Sequence, residues 1–486
     1  MADADTGPGR FGWRFCAPLF VCAALNPINS SVIATAIVPI AAAVGCSVGR
    51  ASVLISVLYL ATAIGQPTAG ALAEEFGPRR ALVIGVVALL TGGLVGGVAA
   101  NLPELVVGRV LIGVGTSCAY PSAMLLIRRR AMEARLDAPP GPVLGGLVIA
   151  GSVTAAAGLP IGGVLVDALG WRATFLINLP VGLVALVMAL AWLPADPNSA
   201  EGRPFRQTLA DLDAVGIVGF GGALGALLVF FMSLPHPRWV ALVLCVMIGA
   251  ALVRWELHVC TPFIDLHMLA ADTGLARTYL RLALTTMCIY AVFYGVTQWL
   301  EAGRGVSAST SGLLLLPMTG LAAVVAQPVA ARNVIRAPLI AVGVCCLAGS
   351  IGMLLLDNAT GIFWIVLVTL VFGVAMGAMA SANQTALYTQ VSADQIATAS
   401  GLLRSCGYVG SIASAALISV AFHTGVGDHG LHVIAWVLVG ASMLGLIVLA
   451  TDPMITGFLL RQVFRSGSQA RTPLAPSQTS GEVSER

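Results

Sequence analysis

Charge is what this sequence has least of. Charged residues fill 10% of its 486 positions, lysine does not occur, and all 25 basic residues are arginine. Soluble globular chains carry about a quarter of their residues charged. A hydrophobic share of 58% with mean hydropathy +0.93 therefore excludes a soluble globular protein. Long polar stretches are missing except Pro194–Leu209 and Gln462–Arg486, the latter too rich in Ser, Pro and Gly to order itself. No carboxylate falls at the centre of an apolar run, and no histidine or acid pair sits inside one, which argues against an enzyme. The ten cysteines are scattered without metal-ligand spacing and read as small packing residues; no cofactor is expected. His423, His429 and His432 gather with Asp428 and read as a solvated loop rather than a metal site. No cleavable leader is expected, because the first apolar run, flanked by Arg10 and Arg14, is too long for one.

What the chain does have is fourteen apolar runs, each near the roughly 20 residues a bilayer crossing needs. They lie at about 15–41, 51–73, 81–100, 104–126, 143–166, 174–194, 212–233, 239–257, 279–300, 310–331, 338–356, 361–381, 398–421 and 431–451. With the N-terminus inside, eighteen arginines fall on the inner side and four on the outer (Arg50, Arg172, Arg238, Arg304). The positive-inside rule thus places both termini in the cytoplasm. Most tryptophans fall near run ends, as an aromatic belt requires. Gln66-Pro67-Thr68-Ala69-Gly70-Ala71 closes the second run and Gln327-Pro328-Val329-Ala330-Ala331-Arg332 the tenth. If the pair near 212–257 is an insertion, these are equivalent helices of two six-helix halves.

The stretch Gly145–Pro180 carries the most information. Gly151, Ala155, Gly158 and Gly162 fall on one helix face, where small side chains let a neighbouring helix reach backbone contact. Pro160 interrupts that helix near its outer end. Trp171-Arg172 then heads the next run, with Phe175, Asn178 and Pro180 following. The stretch resembles the major facilitator superfamily, specifically its fourteen-span drug:proton antiporter branch. That branch carries Gly-Pro-x-x-Gly-Gly and then Trp-Arg-x-x-Phe-x-x-Asn-x-Pro. The second pattern is complete here; in the first, Gly158, Gly162 and Gly163 match and Pro160 stands one place late.

The resemblance implies an all-α polytopic membrane protein of the major facilitator fold: two six-helix bundles and an inserted pair, fourteen transmembrane helices in all. The expected division is a cytoplasmic N-terminus at 1–14, a bundle at 15–194, a linker at 195–211 and the inserted pair at 212–257. A linker at 258–278, a second bundle at 279–452 and a disordered cytoplasmic tail at 453–486 complete it. The function implied is export of small amphiphilic compounds by alternating access in exchange for protons, at the plasma membrane. Uptake or facilitated diffusion without protons, and a non-transporting sensor, stand as alternatives. The expected partners are substrate, protons and lipid bilayer; nucleic acid is not among them, and the chain is expected to be monomeric.

The turn after the second run, with Gly70, Glu74, Gly77, Arg79 and Arg80, resembles the family's gating loop, Glu74 standing where the family has aspartate. Arg109, in an Arg-x-x-x-Gly-x-Gly pattern, matches an arginine that the family links to proton transfer. A charge inside a span should face the bundle interior or a wet cavity. Asn26, Asn29, Tyr59, Gln66, Asn383, Gln384, Arg404 and Tyr408 are the polar candidates for the substrate cavity, the asparagines serving equally as interhelical glue. The first-span acid usual in this branch is missing, so Glu301 is the first candidate proton carrier and Asp167 the second. A cavity with Arg109 and Arg404 but no central acid should favour neutral or anionic amphiphiles over lipophilic cations.

Overall fold

The computed structural model describes residues 11–136, 140–196, 213–233, 237–259, 262–263, 273–332, 335–391 and 396–452. The first ten residues, most of the expected linkers at 195–211 and 258–278, and the expected tail 453–486 lie outside them. Fourteen described helices are long and apolar enough to cross a bilayer. They are α1 (Trp13–Ala43), α2 (Val48–Gly70), α3 (Pro78–Val98), α4 (Leu102–Glu133), α5 (Gly141–Leu169), α6 (Ala173–Trp192) and α7 (Ala214–Phe231). α8 (Trp239–Glu256), α9 (Thr273–Gly303), α10 (Ala308–Val329), α11 (Arg336–Met353), α12 (Ile362–Tyr388), α13 (Ala399–Ala421) and α14 (Asp428–Ala450) follow. Each apolar run read from the sequence coincides with one of them. In lipid every backbone amide needs an internal partner, so apolar runs become helices despite 55 glycines.

Those glycines act in the packing. A Cβ on Gly92 would lie 2.7 Å from the Gly108 carbonyl, and one on Gly115 would lie 2.5 Å from that of Gly85, so α3 and α4 meet backbone to backbone. α1–α6 pack as one half and α9–α14 as another. An even number of spans returns the chain to the face where α1 begins, called here the termini face. The halves touch along two seams, α5 against α10 and α2 against α13. An eight-helix shift maps α2 onto α10 and α5 onto α13, so each seam is the other seen from the opposite half. This is the geometry expected of parallel repeats about an axis along the membrane normal. The α7–α8 pair lies outside both halves, with α7 touching α2 and α13.

Two spans are irregular near the seams. α1 changes from α to 3₁₀ winding at Ile33–Ala36 before resuming at Ile37. α9 ends in a π-helical turn at Trp299–Gly303. Local changes of winding in a span need polar compensation, and such turns cluster at functional places.

Candidate functional site

The halves are joined by side chains from mid-membrane to the face opposite the termini. On one seam Gly163 backs onto the Ala308 carbonyl and Gly312 onto the Leu159 carbonyl, while Thr319 Oγ1 donates to the Ala156 carbonyl at 3.3 Å. At its far end the Asp167 carboxylate accepts the Ser309 amide at 2.9 Å, capping α10 from the other half. Beside the second seam, α9 also reaches the first half, where Gln298 Nε2 donates to Ser52 Oγ at 3.2 Å. Tyr59 donates to the Tyr294 hydroxyl at 2.8 Å, and Tyr294 in turn to the Ser30 carbonyl at 2.9 Å.

Ser30 and Asn29 precede the 3₁₀ turn of α1, where the shift from i+4 to i+3 bonding frees carbonyls for other donors. Arg109 takes up the Asn29 carbonyl through Nη1 at 3.2 Å and the Leu54 carbonyl through Nε at 3.1 Å. The residue is 2% exposed and its Nη2 is buried with no hydrogen-bond partner among the described residues. The interior position expected for it is the observed one; it does not snorkel.

Tyr59 stacks on Tyr408 with ring centroids 5.9 Å apart and meets Tyr290 edge-on at 5.5 Å. Tyr290 stacks on Tyr294 at 5.7 Å. Gln66 lies within reach of the Tyr408 hydroxyl. Toward the termini face the Arg404 guanidinium of α13 lies 3.8 Å over the ring of Tyr120 on α4, a cation–π contact between halves. Tyr59, Gln66, Arg404 and Tyr408 are thus brought together.

The asparagine candidates are placed elsewhere. Asn26 donates to Thr62 and Thr116, and Asn29 to the Leu25 carbonyl and Asn178 Oδ1, binding α1 to α2, α4 and α6. Asn383 accepts from Arg281 Nε at 3.1 Å, and Gln384 donates to Ser400. These four use their amides as interhelical ties within one half.

Glu301 lies in the π turn of α9. It is 8% exposed, and neither carboxyl oxygen has a hydrogen-bond partner among the described residues. Asp167, by contrast, is exposed and spent on its helix cap. Asp428 accepts the Trp299 indole at 2.9 Å and the Asn358 amide at 3.0 Å, while His432 bonds the Leu356 carbonyl.

The fold so described matches known proteins. The profile of the Major Facilitator Superfamily matches residues 19–415. The chain belongs to that superfamily. The uncharacterized MFS-type transporter YwoD of Bacillus subtilis is 30% identical over 82% of this chain and 87% of its own. The tetracenomycin C resistance and export protein of Streptomyces glaucescens is 30% identical over 76% of this chain and 68% of its own. The multidrug resistance protein Stp of Mycobacterium tuberculosis is 27% identical over 72% and 65%. Among solved structures, the peptide transporter POT in complex with sulfate superposes with TM-score 0.65 at 16% identity, covering 92% of this chain and 96% of that one. This facilitator is a transporter and not an enzyme.

The antiporter-motif helix of the facilitator divides its glycines between two partners. Gly158 and Gly162 lie against Ser31 and Val32 of α1, while Gly163 faces α10 and Pro160 meets Gly312 there. The Trp-Arg signature builds the corner into α6. Arg172 lies 4.3 Å over the Trp171 ring and donates to the Ala99 carbonyl, and Phe175 fills the notch at Gly96. Asn178 is the acceptor for Asn29, and Pro180 is exposed.

The loop expected to gate holds together through a residue that the loop pattern does not contain. Glu74 is exposed; the acid in the loop is Asp196, just past α6. Its two oxygens accept the Arg79 and Arg80 amides at 3.2 and 2.8 Å, and Arg129 pairs with it at 3.9 Å. The Arg79 guanidinium bonds the Ala189 and Leu190 carbonyls, and Gly77, at φ +100°, makes the turn. Gly70 lies in the last turns of the α2 helix, which runs on to Phe76. A cavity of about 430 Å³ opens here beside Glu74, Glu75, Arg129 and Arg130. In the second half Asp452, just past α14, pairs with Arg281 at 3.5 Å, both side chains 4% exposed. Asp196-Pro197 and Asp452-Pro453 are the same dipeptide at the ends of equivalent helices, a signal available in the sequence.

Proposed function

We propose that this facilitator exports small amphiphilic compounds by alternating access in exchange for protons, acting as a monomer in the plasma membrane with both termini cytoplasmic. Export is supported by the likeness to the tetracenomycin C resistance and export protein and to the multidrug resistance protein Stp, and the orientation by the eighteen-to-four distribution of arginines. On this orientation the seams close the outer side. Glu301 carries the proton, and Arg109, fixed beside the tyrosines, transmits its charge state between halves. Asp167 serves as an outer latch, and the Gly77–Arg80 loop with Asp196 as an inner one.

The buried, unpartnered carboxyl of Glu301 is the observation that supports coupling. A buried carboxyl without a partner is least costly when neutral, whereas its anion needs water or a cation. The closed outer seam therefore suits the protonated side chain, and opening the seam admits the water that lets it ionise. Proteoliposomes holding an imposed pH gradient test this, by proton flux on adding neutral, anionic or cationic amphiphiles. We expect substrate-evoked flux that is lost in Glu301→Gln while substrate still equilibrates down its own gradient. Substrate movement without any proton flux in the native chain would overturn coupling and make this a facilitator without protons.

A further inference from the structure

Tyrosine is scarce here, seven residues in 486, yet five of them gather where the halves meet. Tyr59 and Tyr294 are sealed at 2% and 0% exposure, whereas Tyr120, Tyr290, Tyr408 and Arg404 keep part of their surface open. Scarce aromatic residues with hydroxyls, half-open and contributed by α2, α4, α9 and α13, form a stacking surface shared by both halves. Its charge is of one sign. Arg404 has its planar face on Tyr120 and no ion pair or hydrogen bond to its guanidinium among the described residues. Arg109 stands beyond the sealed end, bonding the carbonyl adjacent to the one Tyr294 uses, with Nη2 unpartnered. No carboxylate makes a described contact with this cluster.

We propose that this tyrosine cluster is the substrate subsite and that it selects planar aromatic anions, compounds with fused rings bearing a carboxylate or an acidic hydroxyl. The inference rests on the exporter reading and names its substrate class. Fused rings lie between tyrosine faces in the offset arrangement those faces already adopt among themselves. The anionic group takes the edge of the Arg404 guanidinium, whose donors are free while its face remains stacked. Tyrosine hydroxyls supply neutral donors to ring oxygens. A quaternary ammonium on the same rings meets two guanidiniums and no anion, so the site rejects it.

Equilibrium binding to the full chain in nanodiscs, with no gradient imposed, tests this apart from coupling. The probes are 2-naphthoate, 2-naphthamide and 2-naphthyltrimethylammonium, which share rings and differ in charge. We expect naphthoate to bind at least tenfold tighter than the cation, with the amide between. Arg404→Gln should abolish that order while leaving amide binding within about twofold. Tyr120→Leu should weaken all three probes about tenfold; thermal unfolding of each variant reports folding independently. Cation binding equal to or tighter than naphthoate, or a charge preference that survives Arg404→Gln, overturns the proposal. Naphthoate bound but never moved would instead overturn the exporter reading, and Glu301-dependent export of cations would overturn this one alone.

Discussion

Replacing Asp452 by Asn leaves the Arg281 guanidinium buried at 4% exposure beside no anion. Breaking a buried pair from one side costs about 3–5 kcal/mol, whereas replacing both partners by apolar residues is often neutral. Thermal unfolding in detergent should therefore drop strongly for Asp452→Asn and recover in part for Asp452→Leu with Arg281→Met. Asp196→Ala removes the cap on the first turn of α3, worth about 1 kcal/mol; Glu74→Gln, at an exposed position, should leave the midpoint unchanged. These two aspartates were hard to read from sequence because an acid just past a span is ordinary. Arg109 stood out because a charge within an apolar run is not, whereas Glu301 was one of several acids at run ends and was singled out only because the first-span acid is missing. Asparagine inside a span announces a hydrogen bond but not its partner, so Asn26, Asn29 and Asn383 could not be told from ligands. Tyr120, Tyr290 and Tyr294 gave no signal singly; only their convergence distinguishes them.

Spacing alone put Gly151, Gly158 and Gly162 on one face of α5, and that face packs on α1. It could not reveal that Gly163, about 100° further round the helix, is the glycine that meets the other half. A side chain there would strike the Ala308 carbonyl, a backbone atom that cannot step aside. Gly163→Leu should part α5 from α10 and make the outer seam leak, seen as labelling of a cysteine placed at Ser309 by a membrane-impermeant thiol reagent. Gly145→Leu, with open space at its Cβ, is the control expected to behave as the native chain. The π turn of α9 was not legible at all, since no proline or polar residue other than Glu301 marks it.

The halves, the span count and the inserted pair were legible because hydropathy and arginine placement act over the whole chain. Which helices form the seams was not, because small and apolar residues line lipid and protein faces alike. α7 and α8 bury little, and among the described residues α7 meets the bundles chiefly at α2 and α13. Excising 213–259 and joining its flanks should therefore give a protein that still inserts, with a small loss of thermal stability; failure to insert would make the pair integral to the fold.

Among the described residues, five hydrogen-bonded links between the halves lie from mid-membrane to one face: Ser52–Gln298, Tyr59–Tyr294, Tyr294–Ser30, Thr319–Ala156 and Ser309–Asp167; Gln66–Tyr408 and Arg404–Tyr120 join them nearer the other. At about 1 kcal/mol net apiece, the five hold that face shut with about 5 kcal/mol, which opening must replace by links elsewhere. Swinging a two-state population from 1:99 to 99:1 takes about 5.5 kcal/mol. One elementary charge falling through 100 mV supplies about 2.3 kcal/mol. If one proton is exchanged per cycle, as proposed, it provides less than half of that swing, and the cargo's own preference between the two states supplies the remainder.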